Sequence, residues 1–213
     1  MTTTRAHTDV EITAFLEELK KQTDRGVGIV AAAVLEDALE FALRSRLVVL
    51  SNTRAEALFG RMRPLSSFSA KIAFGFAVGL YDDHLRKPLN MIRDVRNEFA
   101  HNLEATSFEH PRVASLVRST LAQDAPETVR QGVANQGASL RDTFMLFFSG
   151  ALALLYAEAA SDIRIRPVGE THPHIFVQLA LAARRLAQKM ASESTAPPER
   201  TGSPEIKPGQ SSQ

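Results

Sequence analysis

Cysteine is missing from all 213 residues, and with it go disulfide bonds, thiolate zinc sites and a cysteine nucleophile. Tryptophan is missing too, so 12 phenylalanines and 2 tyrosines supply all the aromatic surface. Platforms on which bases stack are therefore scarce. An excess of one charge sign is also lacking: 25 Lys and Arg face 24 Asp and Glu, a net charge of +1. No global positive field would hold a polyanion by counterion release, and only a local basic patch is left for that purpose. There is no long uninterrupted apolar run. The best stretch, Phe144 to Ala157, contains Ser149 and Gly150 and lies between Asp142 and Glu158, short of the roughly 20 residues that a membrane span needs. It reads as a helix buried in a core or at a subunit interface. Residues Met1 to Thr8 carry no apolar segment of the secretory kind, so secretion is not expected; a cytoplasmic location, in keeping with the absent cysteine, is.

What is present is ordinary globular material. Hydrophobic residues make up 44% and charged residues 23%, and a chain of this length buries about 70% of its unfolded surface in one domain. Helical periodicity recurs almost everywhere, and alternating strand patterns with hairpin turns do not. The expected fold is all-α: a single multi-helix bundle over 9–191, behind a flexible leader (1–8) and ahead of a disordered Pro- and Ser-rich tail (192–213). Ile12, Phe15, Leu16 and Leu19 share a face of a first helix. Asp24 is the expected cap of a second, running to about Leu50, and Thr53 with Glu56 has the spacing of a capping box for a short third helix ending at Gly60. Pro64 to Ser67 breaks the chain and caps a helix from Phe68 towards Leu80. A charged helix follows from Asp83 to about Leu103, with Pro88 near its first turn. Further helices are expected over Arg112 to Leu121, from a Ser139 cap to Ile163, and over Ile175 to Met190. Residues Thr128 to Gly137 are polar and weakly patterned.

The charged helix carries the most information. At about 100° per residue, Ile92, Val95, Phe99 and Leu103 gather on one face with Leu89 at its edge. Arg96 falls near the same edge, and Asn90, Arg93, Asn97 and His101 line the adjoining flank. One reading is a phosphate site, with Arg96 as bidentate clamp, Asn97 as orienting donor and His101 as proton-transfer group. The other is structural: a guanidinium at an apolar edge needs a partner, and Asp24, Glu36 and Asp37 are on offer. On the chemistry of the residues alone the structural role weighs more.

Three stretches together resemble the bacterial mannitol operon repressor (MltR) family: Thr23-Asp24-Arg25-Gly26, Leu65-Ser66-Ser67-Phe68-Ser69-Ala70-Lys71-Ile72, and Ile92-Arg93-Asp94-Val95-Arg96-Asn97-Glu98-Phe99-Ala100-His101. The resemblance covers about residues 10–160. It implies a helical transcriptional regulator of a mannitol or related sugar-alcohol operon, with a polar cluster drawn from Asp24, Arg25, Glu36, Asp37, Lys71, Arg93, Arg96, Asn97 and His101. The third stretch is also similar to the Arg-x4-His signature of the HEPN superfamily. That likeness implies an alternative, a metal-independent endoribonuclease or toxin-like RNA-binding protein, with Arg96 on phosphate, Asn97 orienting and His101 as acid/base, commonly across a dimer.

A direct DNA reader is not expected. The best helix-turn-helix candidate, Val133 to Arg141, leads into Phe144-Met145-Leu146-Phe147-Phe148, whereas a recognition helix presents polar and basic side chains to base edges. Arg44 with Arg46, Arg61 with Arg63, and Arg184 with Arg185 read as solvated surface pairs. Regulation through a protein partner is the expectation, with the apolar stretch around Phe147 as either a homodimer surface or part of the core. No cofactor or metal is expected: His172 and His174 sit in a Pro-containing loop without further ligands, and Gly26-Val27-Gly28 lacks a preceding strand and a third glycine.

Overall fold

The computed structural model describes residues 9–47 and 50–161. Among these are eight helices and no strand: α1 (Asp9–Lys20), α2 (Asp24–Arg46), α3 (Asn52–Phe59), α4 (Phe68–Ala77), α5 (Asp83–His101), α6 (Pro111–Asp124), α7 (Glu127–Gln136) and α8 (Leu140–Ala159). The expected all-α bundle is what the chain forms. The leader, the helix expected over Ile175 to Met190 and the tail lie outside the described residues.

Helix α2 is the spine. Val27, Ala31, Leu35, Ala38, Leu39 and Ala42 recur every three or four positions and are buried, the spacing that puts them on one wide face. That face packs on α8, α5 and α4. Its small residues let neighbouring backbones come close. At Gly28 a methyl group would overlap the Phe99 ring, coming within 2.7 Å of Cε2, so the α2 to α5 crossing depends on hydrogen at that position. Helix α5 answers with Leu85, Leu89, Ile92, Val95 and Phe99, all buried, and also meets α6, α4 and α8.

Helix α8 completes the core. Ser139 and Asp142 form a reciprocal capping box, which satisfies two amides at the helix start. Phe144 and Phe148 are fully buried, and each contributes about 1.5–3 kcal/mol by leaving water. Phe108 links the layers: its ring lies 5.4 Å from Phe99, edge-on, and 4.9 Å from Phe144. By length and composition α8 is the one described helix apolar enough to cross a membrane, and its apolarity is accounted for by this packing.

Several boundaries differ from the sequence expectation. Thr23, not Asp24, caps α2, its hydroxyl accepting from the Gly26 amide at 3.2 Å, and the helix stops at Arg46. Ser51, not Thr53, caps α3. Pro88 is well inside α5 rather than in its first turn, and it is buried; a proline there removes one backbone bond. Helix α5 ends at His101, which leaves Leu103 outside it and 84% exposed instead of on the apolar face. Residues 127–136 form α7, closed by Gly137 at φ +58°, and α8 stops at Ala159 rather than Ile163.

Candidate functional site

The end of α5 is held by the turn between α1 and α2. After His101 the chain leaves the helix through the C-cap Asn102, and the carbonyls of the irregular segment that follows need donors from elsewhere. Arg25 supplies the donors: Nη2 reaches the carbonyls of Asn102 (2.8 Å), Leu103 (3.0 Å) and Ala105 (2.8 Å), and Nε shares the last at 3.2 Å. A cation here also faces the negative end of the helix dipole. Beside it, Asp24 accepts from the Phe108 amide at 3.0 Å and from Arg141 Nη1 at 2.8 Å. Arg141 in turn donates to the carbonyls of Lys20 and Gln22. The motif Thr23-Asp24-Arg25-Gly26 is thus a joint of cap, anion, cation and close-packed glycine that ties three distant pieces of chain together.

Arg96 departs from the structural role expected for it. It is exposed, and none of Asp24, Glu36 and Asp37 is its partner; its Nη1 donates to Asn97 Oδ1 at 3.0 Å. Asp24 is held by Arg141 and Glu36 by Lys71. His101 is exposed as well, and among the described residues it makes no hydrogen bond or ion pair. Arg93 turns to Asp94 (2.8 Å). The C-cap residue Asn102 donates to Glu98, whose other oxygen lies 3.3 Å from Arg112 Nε. The outer flank of α5 therefore presents a guanidinium, an amide and a free imidazole to solvent, on a helix whose inner face is locked.

The remaining predicted polar residues form a separate cluster between α2 and α4. Lys71 is 5% exposed, and its ammonium lies 3.0 Å from Glu36 and 3.0 Å from Glu40. Burial pulls the Lys71 ammonium towards losing its proton, but hydrogen bonds and attraction from the two glutamates outweigh this and hold its pKa above the ordinary lysine value. Arg44 braces Glu40 at 2.7 Å and stacks over the Phe59 ring at 4.8 Å. Asp37 lies at the rim, where desolvation, followed by Glu36 and Glu40, raises its carboxyl above the usual range against the attraction of Lys71. The Tyr156 hydroxyl is raised by burial and by Asp37. The nine predicted residues therefore do not converge: Asp24 and Arg25 build the joint, Glu36 and Lys71 brace α2 to α4 with Asp37 exposed beside them, and Arg93, Arg96, Asn97 and His101 lie on the outer flank of α5.

Sequence reasoning missed Arg141, Glu40 and Glu98, and it took Arg46 for half of a solvated surface pair, whereas Arg46 is buried and paired with Glu158; each depends on a partner far along the chain or on the facing helix. The helix-turn-helix candidate forms the end of α7, a turn and the start of α8, and Phe144, Phe147 and Phe148 of the second helix face the core. A shallow groove between α5, α7 and α8, lined by Leu85, Pro88, Val129, Phe147 and Leu154, has a volume of about 30 Å³, room for little more than a water molecule. No protein-family description, curated protein or solved structure matches this chain.

Proposed function

We propose that this protein is a regulator of the mannitol operon repressor kind, acting through protein contacts rather than by reading DNA. The observation that supports the reading is the make-up of α8: Phe144, Phe147 and Phe148 face the core, and the less buried side offers Met145, Leu146, Ala153 and Tyr156 rather than the basic and amide side chains that read base edges. The small groove and the dispersal of the polar residues also favour a binding module over a metabolic enzyme. Deleting the gene and measuring transcription of neighbouring sugar-transport genes, with and without mannitol, tests the reading; derepression is the expected result, and unchanged transcription refutes it.

A second reading is favoured by one specific observation, the exposure of Arg96 and His101 on either side of half-buried Asn97 at the end of α5. A surface of that kind is open to an RNA phosphate, and a metal-independent endoribonuclease would use Arg96 to bind it, Asn97 to orient it and His101 to move the proton. Under the regulatory reading the purified protein leaves single-stranded RNA intact in the presence of a chelator. Cleavage to cyclic phosphate ends, reduced about 10²–10⁴-fold by His101→Ala, would replace it. Because Arg96 is exposed and bonded only to its neighbour, Arg96→Ala is an equally clean probe.

A further inference from the structure

Helix α3 gives way to α4 through two successive tight turns. The Arg63 amide donates to the Gly60 carbonyl at 3.1 Å, the Ser66 amide to the Arg63 carbonyl at 3.0 Å, and the Leu65 amide returns to the Leu58 carbonyl at 2.9 Å. Phe59, Leu65 and Phe68 are buried on either side. The loop is therefore anchored at both ends and braced in the middle.

At its tip stand Arg61, Met62 and Arg63, all exposed. Met62 is 91% exposed and has φ +60°; among the described residues no other non-glycine has positive φ. It occupies the third position of the first turn, where glycine or asparagine is usual because a Cβ crowds the backbone. An apolar side chain is thus kept in open water at a position that strains it. The flanking guanidiniums are free to pair: like exposed Arg54, Arg61 and Arg63 make no ion pair or side-chain hydrogen bond among the described residues, whereas Arg44, Arg86, Arg118 and Arg130 each pair with a carboxylate.

Backbone strain held by surrounding structure points to a use for the strained residue. Methionine is a soft, adaptable group for entering an apolar socket, and arginine is enriched at protein interfaces. We propose that Arg61-Met62-Arg63 is a docking tip for an acidic protein surface, in which Met62 enters an apolar socket and the two arginines pair with carboxylates at its rim. A membrane would demand more apolar surface than one methionine, and a single-stranded nucleic acid would call for an aromatic platform that the tip lacks. The proposal rests on the regulatory reading only in taking the partner to be a protein.

The test is to pan a random dodecapeptide display library on the full chain, with Met62→Gly and a double Arg61→Glu, Arg63→Glu variant as counter-targets. Peptides with acidic residues around a leucine, isoleucine or phenylalanine are expected, and synthetic copies should bind either variant at least tenfold more weakly, and bind wild type more weakly as salt rises. Failure to enrich any peptide, or peptides that bind all three proteins alike, overturns the proposal. So does tighter Arg61- and Arg63-dependent binding to phosphatidylserine vesicles or to a U-rich RNA 20-mer than to the selected peptides. Met62→Gly should melt no lower than wild type, since glycine relieves the turn; a lower melting temperature would assign Met62 a structural role and also overturn it. None of these measurements reads transcription, so the tip and the regulatory reading fail separately.

Discussion

Replacing Arg25 by Met keeps the aliphatic stem and removes the fork that holds the end of α5. Four contacts of 2.8–3.2 Å to three carbonyls are lost, and of these carbonyls Asn102 keeps the Ala105 amide as a donor. A hydrogen bond to a charged group contributes about 1.5–3 kcal/mol, but these carbonyls are partly accessible, so water recovers a share of each. With about 0.3–1 kcal/mol for the lost dipole interaction, the expected cost is about 2–4 kcal/mol. For a domain of this size each kcal/mol moves the melting temperature by about 2–4 °C, so thermal unfolding followed by circular dichroism at 222 nm should show a fall of roughly 5–15 °C. Arg25→Lys should recover only part of it, because an ammonium in the place of Nη2 still lacks the second contact that Nε makes with Ala105. A Met variant melting within about 2 °C of wild type, or a Lys variant equal to it, would refute the role given to the fork.

Two further outcomes follow from packing and charge. Gly28→Ala drives a methyl group into the Phe99 ring and should cost about 1–3 kcal/mol as over-packing, measured by urea unfolding, while Gly132→Ala, which meets nothing, should be neutral or slightly stabilising by helix propensity. Asp37 has its folded pKa raised, so its proton is held more tightly in the native state than in the unfolded chain; ionisation therefore subtracts stability as pH rises through the carboxylate range. Asp37→Asn should raise the melting temperature at pH 7, with the gain disappearing as the pH falls through that range; a lower melting temperature at pH 7 would overturn this sign.

The helices that could be read from the sequence are those whose apolar residues repeat at helical spacing, such as α2, α5 and α8. Helix α7 was not legible because only Val129 is buried along it, so it has almost no apolar stripe to see. The caps of α2 show a different difficulty: Thr23 and Asp24 are both good capping residues, and the choice is made by Phe108 and Arg141, 84 and 117 positions away, which draw the carboxylate off. Partner choice at the site was hidden in the same way: a helical wheel cannot say that Asp24 pairs with Arg141, that Glu36 pairs with Lys71, or that Arg96 bonds to its neighbour Asn97. Residue types at the site were legible in sequence; their allocation to partners is a property of the folded surface.

The joint at Asp24 also sets an order of events. Arg25 meets carbonyls up to 80 residues away, and Asp24 waits for Arg141, 117 residues on. Contacts of such separation are reached only after the intervening chain has given up its freedom, although each doubling of a loop adds only about 0.6 kcal/mol to that cost. During synthesis α2 and α5 leave the ribosome and can pair before the first turn of α8 exists, with Asp24 still facing water. The seam between the two ends of the bundle is therefore closed late, and a chain stalled before Arg141 would expose the aromatic surface of Phe99 and Phe108 that Phe144 later covers.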